Sequence, residues 1–263
     1  MKKGPYMITF PSGKGGVGKT NLVASLAVAL TQMGKRVMVL DGDLSLANVD
    51  LLFGVNPTST LQHVLLGGKS LKEILVEGPL GIQIIPASSG VDELSRLDER
   101  ERRSLIKEFK LLGRGADFLL IDTAPGLTPN VLDFVMASDL SIVVTTPEVT
   151  SITDAYATIK VISMRRPTLQ LPLVVNMTGG EREASEVVER IRMVAARFLK
   201  VKVTSLGFIP SDQSVPQSVA KQRPFYLAFP YSPASQGIAS LAQRLMEGEL
   251  YCFVNESDNQ QIG

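Results

Sequence analysis

The sequence predicts an α/β fold: a doubly wound, mainly parallel sheet with helices on both faces. Three observations predict it. Short apolar runs alternate along the chain with amphipathic stretches. Those runs are continuously apolar rather than alternating, which marks strands covered on both faces. A glycine-rich loop, Gly13-Lys14-Gly15-Gly16-Val17-Gly18-Lys19-Thr20, separates the first run from the first helical pattern. A phosphate site built on a strand, a loop and a helix needs its loop at that place.

Taken in order, continuous apolarity predicts strands at Met7–Phe10, Arg36–Leu40, Ile82–Ile85, Phe118–Ile121, Ser141–Thr145, Leu173–Val175 and Val203–Phe208. Helical spacing of apolar residues predicts helices at Leu22–Gln32, Leu46–Leu52, Leu61–Leu65, Glu93–Leu111, Asn130–Ala137, Ile152–Met164, Ala184–Leu199 and Ile238–Met246. The Glu93–Leu111 segment carries Asp98-Glu99-Arg100-Glu101-Arg102-Arg103, and its mixed signs mark a solvated face. No tandem repeat or low-complexity linker interrupts the chain. Residues 1–250 are therefore expected to form a single P-loop domain, followed by a polar, frayed tail over 251–263.

Composition narrows the chemistry. A chain of 263 residues, 44% of them hydrophobic, can bury a large core as one α/β domain. The formal net charge is +1, so bulk electrostatics give no case for nucleic acid or anionic membrane as partner. Cys252 is the only cysteine and His63 the only histidine. That excludes intrachain disulfides, Cys- or His-rich metal sites and iron–sulfur cages within one chain. His63 is expected on a helix, partly buried, with no catalytic part. The sequence shows no signal peptide and no long uninterrupted apolar span, so a cytoplasmic location is expected.

The loop supplies the mechanism. Its glycines let the backbone wrap a phosphate with N–H groups pointing inward, and the following helix adds partial positive charge. Lys19 would pair with the outer phosphates, and the Thr20 hydroxyl would hold Mg²⁺. Gly13 through Thr20, with Asn21, are the candidate nucleotide-binding residues of this segment. Such a loop also needs acids at the carboxyl ends of neighbouring strands. Val37-Met38-Val39-Leu40 ends in Asp41-Gly42-Asp43, and Phe118-Leu119-Leu120-Ile121 ends in Asp122. Asp41 reads as an anchor of the strand end and loop. Asp43 reads as a catalytic acid, or else as the cap of a helix beginning near Leu46.

Lys14, the second lysine of the loop, is not needed to hold a nucleotide. It either raises the local positive potential or acts elsewhere. The run Lys14-Gly15-Gly16-Val17-Gly18-Lys19-Thr20 resembles the deviant Walker A box of the MinD/ParA ATPases. The resemblance extends from Met7 to about Met246 and implies a MinD-like ATP hydrolase of low turnover, monomeric with ADP and a face-to-face dimer with ATP. It implies that Lys14 reaches the partner's nucleotide in trans, as an arginine finger does. It also implies that Asp43 positions the attacking water, that Asp122 holds Mg²⁺ through water, and that Thr20, Asp43 and Asp122 together make up the metal site. The Gly126 amide would meet the γ-phosphate. Asn176 and the segment Ile209-Pro210-Ser211-Asp212 sit where related ATPases contact the base. A guanine-specifying Asn-Lys-x-Asp tetrad is absent, which favours ATP over GTP.

Asp41-Gly42-Asp43-Leu44-Ser45-Leu46-Ala47-Asn48-Val49-Asp50 looks like switch I of the MinD branch. Pro86-Ala87-Ser88-Ser89-Gly90 and the segment from Thr145 to Ala157 resemble the FlhG branch, whose members limit flagellar number and placement. Within that segment, Ser151 or Thr153 would cap a helix ahead of Asp154. Partners implied are an FlhF-type GTPase, flagellar switch-complex proteins and a flagellar transcription activator. Division-site MinD and DNA-partitioning ParA roles are the alternatives. Two departures stand out. Only a few residues precede the first strand, where many FlhG proteins carry an extension that stimulates FlhF, so that activation is in question. Ile238, Leu241, Leu245 and Met246 share a helical face, but Arg244 is nearly alone as a basic neighbour and Glu247, Glu249, Glu256 and Asp258 follow. The expectation is a helix packed on the core, with membrane contact weak or absent and only transient visits to the membrane or cell pole.

Overall fold

The structure is a computed structural model and describes residues 4–43, 47–87 and 97–247. Its strands are β1 (Tyr6–Phe10), β2 (Val37–Gly42), β3 (Val76–Glu77), β4 (Gln83–Ile85), β5 (Phe118–Thr123), β6 (Leu140–Ser141), β7 (Val143–Thr145), β8 (Leu173–Thr178) and β9 (Ser205–Pro210). The helices are α1 (Lys19–Gln32), α2 (Val49–Phe53), α3 (Leu61–Leu65), α4 (Glu99–Leu112), α5 (Pro129–Ala137), α6 (Val149–Arg165), α7 (Glu181–Leu199), α8 (Ser214–Ala220), α9 (Phe225–Ala228) and α10 (Pro233–Met246).

Strand order is β3-β4-β2-β5-β1-β6 in one ladder and β7-β8-β9 in the other. The ladders are continuous at Ile142. Its N–H donates to the Thr9 carbonyl (2.9 Å) and the Val144 N–H to the Pro11 carbonyl (3.0 Å), so β6 and β7 extend past β1 as one run. Pairing is parallel throughout except between β3 and β4.

Alternate residues of each strand feed different layers, the period-two consequence of the pleat. Ile8, Phe10, Phe118 and Leu120 pack with α1 and α10 on one face. Met7, Leu119 and Ile121 pack with α3, α4 and Phe134 of α5 on the other, and Val143, Leu173 and Val175 pack with α5, α6 and α7. Both faces are apolar because both are covered, which is why the runs read as continuous.

Every expected strand forms, and β2 and β5 run further than expected, to Gly42 and Thr123. That extension puts Asp41 and Asp122 inside the ladder as direct cross-strand partners. The sequence reading misses β3, α8 and α9. β3 spans two residues, α9 spans four, and α8 holds Pro216 near its start; none is long enough to show a period. The expected Leu46–Leu52 helix forms over Val49–Phe53, residues 44–46 lying outside the described ones. Of the Glu93–Leu111 helix, residues 93–96 lie outside them. Its ordered start is a capping box: Asp98 Oδ1 accepts from Glu101 N–H and Glu101 Oε2 from Asp98 N–H, both 2.8 Å.

His63 corrects the expectation of partial burial. It lies on α3 but is exposed, and its Nδ1 accepts from the Thr60 N–H (3.2 Å) at the helix start. In α10, Ile238, Leu241 and Leu245 are buried against β9 and α1, so the shared face belongs to the core; the tail that follows, including Tyr251–Phe253, is outside the described residues. No helix among the described residues is long and apolar enough to cross a membrane.

Helix α5 is held along its length. The Thr128 hydroxyl accepts from Val131 N–H (3.4 Å) at its start, and Arg102 of α4 meets Asp133 (2.6 Å) at its middle. At its end, Lys110 donates to the Ala137 carbonyl (2.6 Å) and Arg166 to the Ser138 carbonyl (2.7 Å).

Candidate functional site

The loop between β1 and α1 is a ring of backbone closed by side chains from three directions. Gly16 (φ 78°) and Gly18 (φ 83°) occupy left-handed backbone that side chains disfavour. Gly18 is also pressed from outside: a Cβ there would collide with the Asn176 amide at the carboxyl end of β8. Asn176 is buried, and its Nδ2 donates to the Val17 carbonyl (2.8 Å). At the other end of the loop, a Cβ on Gly13 would lie 2.5 Å from the Asp154 Cβ of α6. Two of the glycines thus serve close approach by β8 and α6 as well as the phosphate cradle.

Ser12, which sequence reasoning passed over, organises the interior. It is fully buried; its hydroxyl donates to the Lys14 carbonyl (2.9 Å) and accepts from Lys19 Nζ (2.7 Å). Its own carbonyl accepts the Gly126 N–H (2.9 Å). Lys19 and the Gly126 amide, the two groups assigned to the outer phosphates, are therefore held on one serine in this structure. The only signal for Ser12 in the sequence is its place just before Gly13.

Lys14 lies apart from this interior. Its Nζ meets Glu148 Oε2 (2.5 Å) and the Thr150 hydroxyl (3.3 Å) at the start of α6, where Val149 is strongly exposed. Glu148 and Thr150 fall within the segment singled out from the sequence, but their pairing with Lys14 was not read there. The same segment corrects the capping expectation. α6 begins at Val149, and Ser151 sits inside its first turn, its hydroxyl accepting from Thr146 N–H (3.0 Å). Thr153 donates to the Val149 carbonyl (3.0 Å) instead of capping.

The carboxylates converge beneath the loop. Asp122 is buried, with Thr20, Lys19 and Asp43 close enough to act on its charge. Burial pushes its carboxyl up to about 6, against the pull of Thr20 and Lys19. Burial also lowers the Lys19 ammonium, opposed by Asp122 and Asp43. Asp41 is buried and raised well above its ordinary value, by burial first and Asp122 second. Its carboxylate accepts three backbone N–H groups, Asp43 (3.1 Å), Asn48 (3.0 Å) and Val49 (3.1 Å). Asp41 thus holds the backbone at the start of α2, and Asp43 lies close enough to act on the charges of Lys19 and Asp122.

The residues present fit a magnesium nucleotide. Among the described residues, Asp122 Oδ1 and Asn21 Oδ1 are buried without a hydrogen-bond partner, which is costly unless a ligand completes them. Thr20 and Asp122 offer the hard oxygen donors that Mg²⁺ prefers. On the base side, Pro210 ends β9 and the Ser211 N–H donates to the Thr178 carbonyl (2.8 Å). Asp212 is a brace: it accepts from Ser214 N–H (2.8 Å) and Ala234 N–H (3.0 Å), tying the starts of α8 and α10 together.

Comparison with known proteins follows the same lines. The family model described as an AAA domain matches residues 6–171, and the one described as an NUBPL iron-transfer P-loop NTPase matches 103–246. The antiactivator FleN of Pseudomonas aeruginosa is 41% identical over 239 residues, covering 91% of this chain and 85% of FleN. The chain belongs to the MinD/ParA family, in its FlhG branch. A second FlhG-branch relative, the flagellum site-determining protein YlxH of Helicobacter pylori, is 33% identical over 91% of this chain and 81% of its own. Among solved structures, MinD of Pyrococcus horikoshii complexed with Mg-ADP superposes with a TM-score of 0.77 at 28% identity, over 92% of this chain and 96% of that one. ATP or ADP with Mg²⁺ is the cofactor set of this MinD/ParA site.

Proposed function

We propose that this chain is an ATP-driven dimerisation switch that sets flagellar number or placement and is reset by slow hydrolysis. The observation that carries the reading is the position of Lys14. A second loop lysine stands at the surface on Glu148 while Lys19 alone serves the buried cradle. A cation placed there is available to a facing copy, where it would stabilise phosphate charge in trans.

Within this reading Lys19 pairs with the outer phosphates and Thr20 and Asp122 hold Mg²⁺, the latter through water. Asp43 orients the attacking water, and the Gly126 amide transfers from Ser12 to the γ-phosphate. Asn176 and Pro210 line the base, with Asp212 bracing that wall. Residues 1–250 act as one ATPase domain. Partners are a second copy with ATP, an FlhF-type GTPase, and flagellar switch-complex proteins or a flagellar transcription activator; the site of action is the cytoplasm, with transient recruitment to the membrane or pole. Support comes from the likeness to FleN and YlxH, whose names carry the antiactivator and flagellum-site roles.

The test is deletion of the gene in its native host, with flagella counted per cell by electron microscopy. Extra or misplaced flagella with normal division support the reading. Normal flagella overturn it, minicells then pointing to a MinD role and lost DNA inheritance to a ParA role.

A further inference from the structure

We infer that Asp41 is a positioning residue for hydrolysis, acting on the water-orienting Asp43 by stapling both ends of the loop that carries it. The inference rests on the role given to Asp43 above.

Asp41 stands at the end of β2, opposite Asp122 in the β2–β5 ladder, and only 1% of it is exposed. One oxygen, Oδ1, accepts the Asp43 N–H just past the strand. The other, Oδ2, accepts Asn48 and Val49 N–H where the chain re-enters helix α2. The departing and returning arms of the 41–49 segment are thus fixed to one carboxylate. Among the described residues, its three hydrogen-bond partners are all backbone amides of this segment.

Gly42 completes the device. A Cβ there would lie 2.7 Å from the Asp122 carbonyl and 3.4 Å from Phe134 Cε2. The strand end is therefore pressed against β5 immediately before Asp43, and Asp41 holds the Asp43 amide from the other side. Asp43 acts electrostatically on both Lys19 and Asp122, so a change in its placement reaches the reacting phosphate. Asparagine cannot replace Asp41 in this arrangement. Three N–H donors point at two oxygens, and an amide must present its NH₂ to at least one of them.

The experiment measures ATP turnover, ATP affinity and thermal unfolding of the full chain for Asp41→Asn, Asp43→Ala and the double variant. Asp41→Asn is expected to lower kcat about tenfold to a hundredfold, the cost of misplacing a reacting group, with ATP affinity within about twofold. The double variant should turn over no more slowly than Asp43→Ala alone. A purely structural role for Asp41 would instead weaken ATP binding along with turnover, or add its loss to that of Asp43→Ala; either result overturns the inference, as does an unchanged kcat in folded Asp41→Asn. Normal turnover in Asp43→Ala would overturn the role of Asp43 itself, a distinct failure. Should Asp41→Asn not fold, Asp41→Thr, which keeps one hydroxyl acceptor and suits a strand end, is read by the same criteria.

Discussion

Lys14 Nζ and Glu148 Oε2 form an ion pair at 2.5 Å that joins the start of the phosphate loop to the start of α6. The two side chains are 34% and 66% exposed, so water screens the pair and it contributes at most about 1 kcal/mol. A lysine bound this weakly can change partners cheaply. Lys14→Ala is expected to abolish ATP-driven dimerisation while leaving nucleotide affinity within about twofold, as read by light scattering and nucleotide titration. An unaltered dimer would remove the trans role. Glu148→Gln should leave stability within about 1 kcal/mol of wild type in urea unfolding.

Asp43→Ala should bind Mg-ATP normally and accumulate as dimer, because hydrolysis is the step that releases it. Size-exclusion chromatography with ATP, compared with ADP, distinguishes this from a binding defect. Loss of nucleotide binding would contradict the assignment.

Ser12→Ala removes the partner of buried Lys19. In the nucleotide-free protein this should cost about 1–3 kcal/mol, the penalty for a buried donor left unmade. Phosphate would replace the serine once nucleotide binds. The rise in melting temperature on adding Mg-ATP is therefore expected to be larger for Ser12→Ala than for wild type. A smaller rise would mean that Ser12 supports the bound state as well.

Gly18→Ala faces two obstacles, a backbone at φ 83° and the Asn176 amide against it. The variant should lose nucleotide binding outright, measured by fluorescence titration of a labelled ATP. Binding at wild-type strength would mean that β8 can retreat from the loop.

Asp122 gives a pH dependence with a definite sign. Its carboxyl stands at about 6 in the folded chain against an ordinary 3.8, so the folded state favours the protonated form. The stability it contributes is complete below about 3.8 and is lost as pH rises through about 6, a change of about 3 kcal/mol. Asp122→Asn should flatten that part of the stability profile in the nucleotide-free protein, as urea unfolding between acid and neutral pH would show. An unchanged profile would place the titration on another group.

Much of this site was legible in the sequence because its parts are local. The phosphate loop is contiguous, and Asp41 and Asp122 each close an apolar run, so residue type and position in a strand were enough to nominate them. What could not be read is what comes from distant chain. Asn176 reaches the Val17 carbonyl across 159 positions and Lys14 reaches Glu148 across 134; no spacing rule connects such pairs. Ser12 was missed because a serine beside glycines looks like any loop residue until Lys19 is seen on it. α8 and α9 were missed because they span seven and four residues, too short for a period to show.

Helix α5 begins three residues after Gly126 and ends under the grip of Lys110 and Arg166. A rod clamped at its far end and tied at its middle by Arg102 and Asp133 is a cantilever. Movement at the phosphate end cannot be absorbed by sliding along its axis. The turn left without such a tie is the first, at Pro129 and Asn130, so a swing there against α4 and α6 is the movement this mounting would permit. Were a phosphate to draw the Gly126 amide off Ser12, such a mounting would turn that pull into a sideways displacement at the outer surface.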